Sequence, residues 1–233
     1  MSQTPAISII IPILNEAPHI QTLLRALACL PEAAEIIVVD GGSTDGTLGL
    51  AQKCGAVRVL EFGRASRALQ MNAGATAAGG EVLLFLHADV RLPLTALTAI
   101  QQALADEQVV GGCFAFGFPE NVPRAWRVYA WGINLRTRWF QTATGDQALF
   151  VRRAVFEQLG GYRELPLMED IELFKALQRA GRVALLPLPV IVSPRRWQQA
   201  GLVRTGLLMY ALRFGYWLGI SPARLKRFFL DVR

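Results

Sequence analysis

The chain has 233 residues, 52% of them hydrophobic, with a mean hydropathy of +0.32 and a formal net charge of +6. That length suits one large α/β domain, and the composition asks for a large core or a partly apolar surface. Three scattered cysteines (Cys29, Cys54 and Cys113) with no CxxC spacing argue against a zinc site and for a reduced cytoplasm.

The N-terminal MSQTPA has no basic region of the kind that opens a signal peptide. Residues 6–13, AISIIIPI, read as a strand, and residues 16–30 follow with a helical pattern. EIIVV (35–39) is a second strand, closed by the turn-rich DGGSTDGT (40–47) and a short helix, LGLAQKC (48–54). VRVLEF (57–62) is a third strand, 65–78 an alanine-rich helix, and VLLFLH (82–87) a fourth strand. Short apolar runs separated by helices predict βαβ units and a mostly parallel sheet covered on both faces. VVGGCFAFGF (109–118) reads as a further strand whose glycines imply close backbone approach.

Beyond residue 120 the expected elements are a Trp/Arg-rich helix (122–139), a strand (147–153), a helix (154–160) and a helix from Glu169 to Ala180. The segments VALLPLPV and IVSPRRW follow, then a helix over 201–220 that is apolar on most sides but carries Arg204 and Arg213. Its uninterrupted apolar part is too short to span a bilayer, so it either packs on the protein or lies on a membrane surface. The basic excess is arginine and falls late, in 123–139 and from Arg195 onward. No basic stripe with interleaved aromatics precedes residue 120, which sets nucleic acid aside and leaves an anionic membrane surface or a phosphate-bearing ligand.

In open parallel sheets ligands bind beyond the carboxyl ends of the strands. Asn15 and Glu16 follow strand one, Asp40 follows strand two, and His87 and Asp89 follow strand four. Any one of them reads as a cap, but three strand ends bearing carboxylates read as a site. The DGGSTDGT segment lacks the GxGxxG spacing of a dinucleotide fingerprint and the ligand spacing of a calcium loop. Ser43 or Asp45 is expected to cap the next helix, whereas Asp40 sits where a carboxylate can meet a ribose or base.

Five ordered segments resemble the family-2 glycosyltransferases with the GT-A fold: P-x-L-N-E (Pro12 to Glu16), VVDGGSTDGT, the acidic triplet after strand four, GGYRELPLMED (160–170) and SPRRW (193–197). The triplet His87-Ala88-Asp89 is similar to that of a small bacterial "transferase 2" group. The resemblance implies an inverting transfer from a nucleotide-diphosphate sugar to an acceptor hydroxyl, assisted by a divalent metal, manganese or magnesium. It implies that Asp89, with His87 in place of the usual first aspartate, meets the metal, and that Asp170 is the catalytic base. The base would be kept ionised by the N-terminal dipole of its helix. Donor contacts are implied for Pro12, Asn15, Glu16, Asp40, Arg64, Arg67, Asn72, Ala88 and Arg196. Asp146, Glu169 and Trp197 are placed on the acceptor side. Ser193 stands where the Q-x-x-R-W motif has glutamine, which argues against processive synthesis. The expected division is a catalytic domain over 1–200 and a helical segment over 201–233, cytoplasmic or at the inner face of the membrane. The alternatives are a non-catalytic nucleotide-sugar-binding protein and a transferase acting on a lipid-linked acceptor.

Overall fold

The computed structural model describes residues 7–31 and 34–229. In chain order the elements are β1 (Ile7–Ile13), α1 (Ala17–Ala28), β2 (Glu35–Asp40), α2 (Thr47–Gln52), β3 (Arg58–Glu61), α3 (Arg67–Ala77) and β4 (Val82–Phe85). There follow β5 (Val90–Arg91), α4 (Ala96–Leu104), β6 (Val109–Gly117), α5 (Arg124–Phe140), β7 (Leu149–Arg152), α6 (Arg153–Gln158) and α7 (Glu169–Ala180). The described chain finishes with β8 (Arg182–Val192), α8 (Arg195–Ala200), α9 (Leu202–Trp217) and α10 (Pro222–Lys226). Ala6, where the first strand was expected to begin, and 230–233 at the end of the helical segment lie outside the described residues.

One eight-stranded sheet carries the order β3-β2-β1-β4-β7-β6-β8-β5. β1 to β4 are parallel, as the βαβ pattern requires; β7 runs against both β4 and β6, and β5 runs against β8. The sheet divides two cores. On one face Ile7, Ile9, Ile11 and Ile13 of β1 meet Ile20, Leu23, Leu24 and Leu27 of α1 and the apolar side of α4. On the other, Ile10 packs with Met71 of α3, Phe156 of α6, and Leu173, Phe174 and Leu177 of α7. The alternation along β1 is the two-residue period of a strand buried on both sides.

One reading needs correction, and two are completed. The fourth strand ends at Phe85, so His87 belongs to the turn beyond it. VALLPLPV and the start of IVSPRRW form one eleven-residue strand, β8, despite Pro187 and Pro189; the register against β6 shifts between Phe114 and Ala115, and that irregularity takes up the prolines. The helix expected over 201–220 is α9, and a further short helix, α10, follows it; Leu167, Met168 and Ile171 pack against Leu212 of α9 and Leu225 of α10. The glycines of β6 behave as expected: a Cβ on Gly111 or Gly112 would collide with the carbonyl oxygens of Phe150 and Ala184 on the flanking strands.

Candidate active site

Neighbouring β1 and β4 leave in opposite directions across the sheet, β1 toward β2 and β3, β4 toward the antiparallel half. A crevice opens at their carboxyl ends, as it does wherever strand order reverses in an open sheet. Because β7 is antiparallel, its entry falls on the same edge, bringing the short 3-10 turn Gly145–Gln147 beside the end of β4. The result is a cavity of about 600 Å³ roofed by α9 and α10.

Twelve of the fifteen sequence-predicted residues line it: Pro12, Glu16, Arg64, Arg67, His87, Ala88, Asp89, Asp146, Glu169, Asp170, Arg196 and Trp197. The other three, Asn15, Asp40 and Asn72, are not on its wall and are held by the scaffold. Asp40 Oδ2 accepts from the N–H groups of Gly42 and Ser43 (2.9 Å each), and Oδ1 accepts from the Ser43 hydroxyl. Asn15, at φ 54°, accepts from Thr44 N–H at 2.9 Å, stapling the first strand's exit to the second's. Asn72 grips Tyr162 from both ends of its amide, donating to the carbonyl and accepting from the N–H at 2.8 Å. Asp45, expected as a cap, stands one residue before the N-cap Gly46 and accepts from Thr47 N–H at the start of α2 and from Ala17 N–H at the start of α1. Sequence reading gave no role to Gln70, which is buried and donates to the carbonyls of Ile13 and Val39, tying the ends of β1 and β2 together.

At the entry to α7, Met168 takes the left-handed conformation and turns the chain so that Glu169 and Asp170 enter the cavity. Glu169 is buried and paired with Arg67 (Oε1 to Nη1, 3.2 Å). Asp170 accepts from Gly145 N–H at 2.6 Å and from Ile171 N–H at 2.7 Å. Burial, then the adjacent charge of Glu169, pushes the Asp170 carboxyl up to about 7, against those two N–H groups, which pull it down. The direction is opposite to that expected from the helix dipole. Desolvation and a like-charged neighbour outweigh a dipole effect of typically about 0.3–1 kcal/mol.

His87 has the opposite displacement. Burial, then the charges of Arg67 and Arg196, hold its imidazole well below the ordinary histidine range, so it is neutral at pH 7. Its ring lies over Gly145 so closely that a Cβ there would be 2.5 Å from Nε2. Burial also raises the Asp146 carboxyl, whose Oδ1 is buried without a hydrogen-bond partner. Trp197 is buried edge-on against Phe116 and Phe118, with Tyr129 beside it. Arg196 stacks over Phe229 at 5.1 Å. Arg64 pairs with Glu164 at the exposed rim, and Arg195 reaches Glu16 at 3.7 Å.

Among the described residues no group of three or more His, Cys, Asp or Glu side chains converges to hold a metal. Asp89 and neutral His87, two residues apart on the cavity wall, are nonetheless side chains of the kinds that ligate divalent cations. Divalent cations of the magnesium type commonly take one or two protein ligands and complete their shell with phosphate oxygens and water. The residues fit that half-site.

A sequence model of "Glycosyl transferase family 2" matches residues 8–160, well over half of the chain. The probable glycosyltransferase YdaM of Bacillus subtilis is 26% identical over 198 residues, which is 74% of this chain and 46% of YdaM. The chain thus spans about half the length of that relative. Solved structures that share the fold include two with bound ligands. The mannosyltransferase PcManGT from Pyrobaculum calidifontis, in complex with GDP-Man and Mn2+, has a TM-score of 0.67 at 22% identity, over 91% of this chain and 65% of that one. Glucosyl-3-phosphoglycerate synthase from Mycobacterium tuberculosis, in complex with Mn2+, UDP and glucosyl-3-phosphoglycerate, has a TM-score of 0.59 at 20% identity, over 88% and 79%. The fold is GT-A, and by the match over residues 8–160 the chain belongs to glycosyl transferase family 2.

Proposed function

We propose that the protein moves a sugar from a nucleotide-diphosphate sugar to an acceptor hydroxyl with inversion at the anomeric carbon. The observation that carries this reading is the placement of Asp170, a cavity-wall carboxyl held by two backbone N–H groups, with burial and the charge of Glu169 raising it to about 7. A general base works best when its pKa lies near the working pH, where it is both ionised and willing to take a proton. In this role Asp170 removes the acceptor's proton as the acceptor oxygen attacks the anomeric carbon and the nucleoside diphosphate leaves. Glu169, held in place by Arg67, keeps the base poised through its adjacent charge and contacts the acceptor side. Trp197 gives that side an aromatic wall.

Donor diphosphate is assigned to the strand-end turn with Arg196 and Arg67. Asp89 and His87 are the residues that would hold manganese or magnesium. Such an ion neutralises charge developing on the departing diphosphate, and neutral imidazole favours manganese. The relatives named above were solved with GDP-Man in one case and UDP in the other, so the base remains open to assay.

Membrane contact is assigned to α5 and α9, which meet where Gly206 lies against the Tyr129 ring. Along α9, Val203, Leu207, Tyr210, Phe214 and Trp217 are exposed at helical spacing, and Val128, Trp131 and Trp139 are exposed on α5. Residues 121–141 and 195–229 hold eleven of the 24 Lys and Arg and none of the 18 Asp and Glu. Apolar side chains fringed by the exposed Arg124, Arg127, Arg138, Arg204, Arg224 and Arg227 complement an anionic bilayer surface. No helix among the described residues is long and apolar enough to cross a membrane.

A thermal-shift screen of nucleotide-sugars with manganese tests the reading, since a ligand of the folded state alone must raise the melting temperature. Stabilisation by at least one nucleotide-sugar, followed by release of its nucleoside diphosphate, is expected. A panel with no stabilising donor would overturn it.

A further inference from the structure

Arg136 of α5 and Arg213 of α9 have no part in the roles above, yet both line the cavity. They also share a small recess off it with Tyr129, Ile133, Met209 and Tyr210. The Nε and Nη2 of Arg136 and the Nη1 and Nη2 of Arg213 are buried and have no hydrogen-bond partner. Buried guanidinium donors are ordinarily satisfied, because an unmade bond forfeits the hydration that the group had in water. Two like charges in one recess add mutual repulsion. Folding alone does not favour that arrangement, and an anion would complete it.

Asp146 does not complete it. Its charge acts on Arg136, but it forms no ion pair with either arginine, and its own Oδ1 lacks a partner. Nor does the recess belong to the donor's diphosphate on this reading. Its walls come from α5 and α9, beside Asp146 and Trp197, whereas the diphosphate is assigned to the ends of β1 and β4.

We propose that Arg136 and Arg213 form an oxyanion subsite on the acceptor side of the cavity, and that it holds a phosphate group carried by the acceptor. The second half of the statement rests on the transferase reading; the subsite itself does not. Guanidinium groups present paired N–H donors that match two phosphate oxygens, which a lysine ammonium cannot do. Ile133, Met209 and Leu212 make the adjoining wall apolar, so either a small phosphate ester or the headgroup of a lipid phosphate has the required chemistry.

The test is calorimetric titration of the full chain with hexyl phosphate and, separately, inorganic phosphate, each with and without saturating GDP or UDP and manganese. Hexyl phosphate should bind wild type with the nucleotide already in place. Arg213→Gln should weaken it at least tenfold while leaving nucleotide affinity unchanged. Without ligand, Arg213→Gln should melt no lower than wild type, because an uncompensated buried charge has been removed. Arg213→Lys, which keeps the charge and loses the fork, should weaken binding likewise, and decides the matter if the glutamine variant does not fold. Hexyl phosphate bound more than tenfold tighter than inorganic phosphate supports a lipid-linked acceptor; equal affinities support a small soluble one. The subsite is overturned if neither phosphate binds wild type, if nucleotide displaces them, or if the variants bind as wild type does. Failure of every nucleotide to bind would instead undo the transferase reading and leave the phosphate titration standing.

Discussion

Gly145 donates its backbone N–H to Oδ2 of Asp170 across 2.6 Å, joining the turn before β7 to the first turn of α7, 25 residues further along the chain. The same glycine supports the His87 ring, so one position sets the spacing between the strand-end turn and the carboxyl. Gly145→Ala puts a Cβ 2.5 Å from His87 Nε2 and forces the ring or the turn to move. Misplacing reacting groups by about 1 Å costs on the order of 10² in rate. The variant should lose about that factor in kcat while its circular dichroism spectrum stays that of wild type; wild-type turnover would show that the spacing is not used.

The raised carboxyl of Asp170 gives the reaction a pH signature. A base acts when deprotonated, so kcat/KM should climb as pH rises through about 7 and level off above it. Stability carries the opposite sign. A folded carboxyl that holds its proton up to about 7 favours the native state fully below its unfolded value of 3.8, and that contribution is lost as pH rises through 7. Between pH 4 and pH 8 the melting temperature of Asp170→Asn should therefore gain on wild type. A flat rate profile from pH 5 to 9 would place the carboxyl in the ordinary range.

Asp89→Asn should weaken donor binding and abolish its dependence on manganese. Asp89 is on the cavity wall with neutral His87 two residues before it, and no third acidic, histidine or cysteine ligand converges there among the described residues. With so few protein ligands, losing one should cost at least tenfold in affinity. Titration of the donor with and without EDTA measures both effects; equal wild-type affinity in the two would remove the metal from the account.

Wild-type protein should co-sediment with anionic vesicles at low salt and be released as salt rises, because exposed charges are screened over about 10 Å at 0.1 M. Trp217, at 77% exposure, is the most exposed of the large apolar residues on α9, and Leu207 stands at 67%. The double variant Trp217→Ser, Leu207→Ser should bind vesicles several-fold more weakly with unchanged stability. Undiminished binding would locate the contact elsewhere.

Much of the site was legible because βαβ units put every parallel strand's carboxyl end on one edge, so polar residues after apolar runs had to converge. Asp89 and His87 came together for that reason, whereas Asp170 and Arg196 were placed by the resemblance. Asn15, Asp40 and Asn72 show the limit of position alone: short polar side chains beside turns are drawn into backbone hydrogen bonds, and only the folded turn shows which. The pKa of Asp170 was illegible because the burial that dominates it is tertiary and outweighs the local dipole. Arg136 and Arg213 read as ordinary members of arginine-bearing helices until α5 and α9 were packed together. Helix α4 and the two-residue β5 drew no expectation at all.

The most direct test measures donor affinity and product formation on one preparation of Asp170→Asn, with the anomeric configuration of the wild-type product read by NMR. Asparagine keeps the shape but cannot take the proton, and the donor contacts lie on other residues. Donor affinity should therefore stay within a few-fold of wild type while turnover falls by about 10²–10⁴, with an inverted product from wild type. Substantial residual transfer by Asp170→Asn, or a product of retained configuration, would contradict the account.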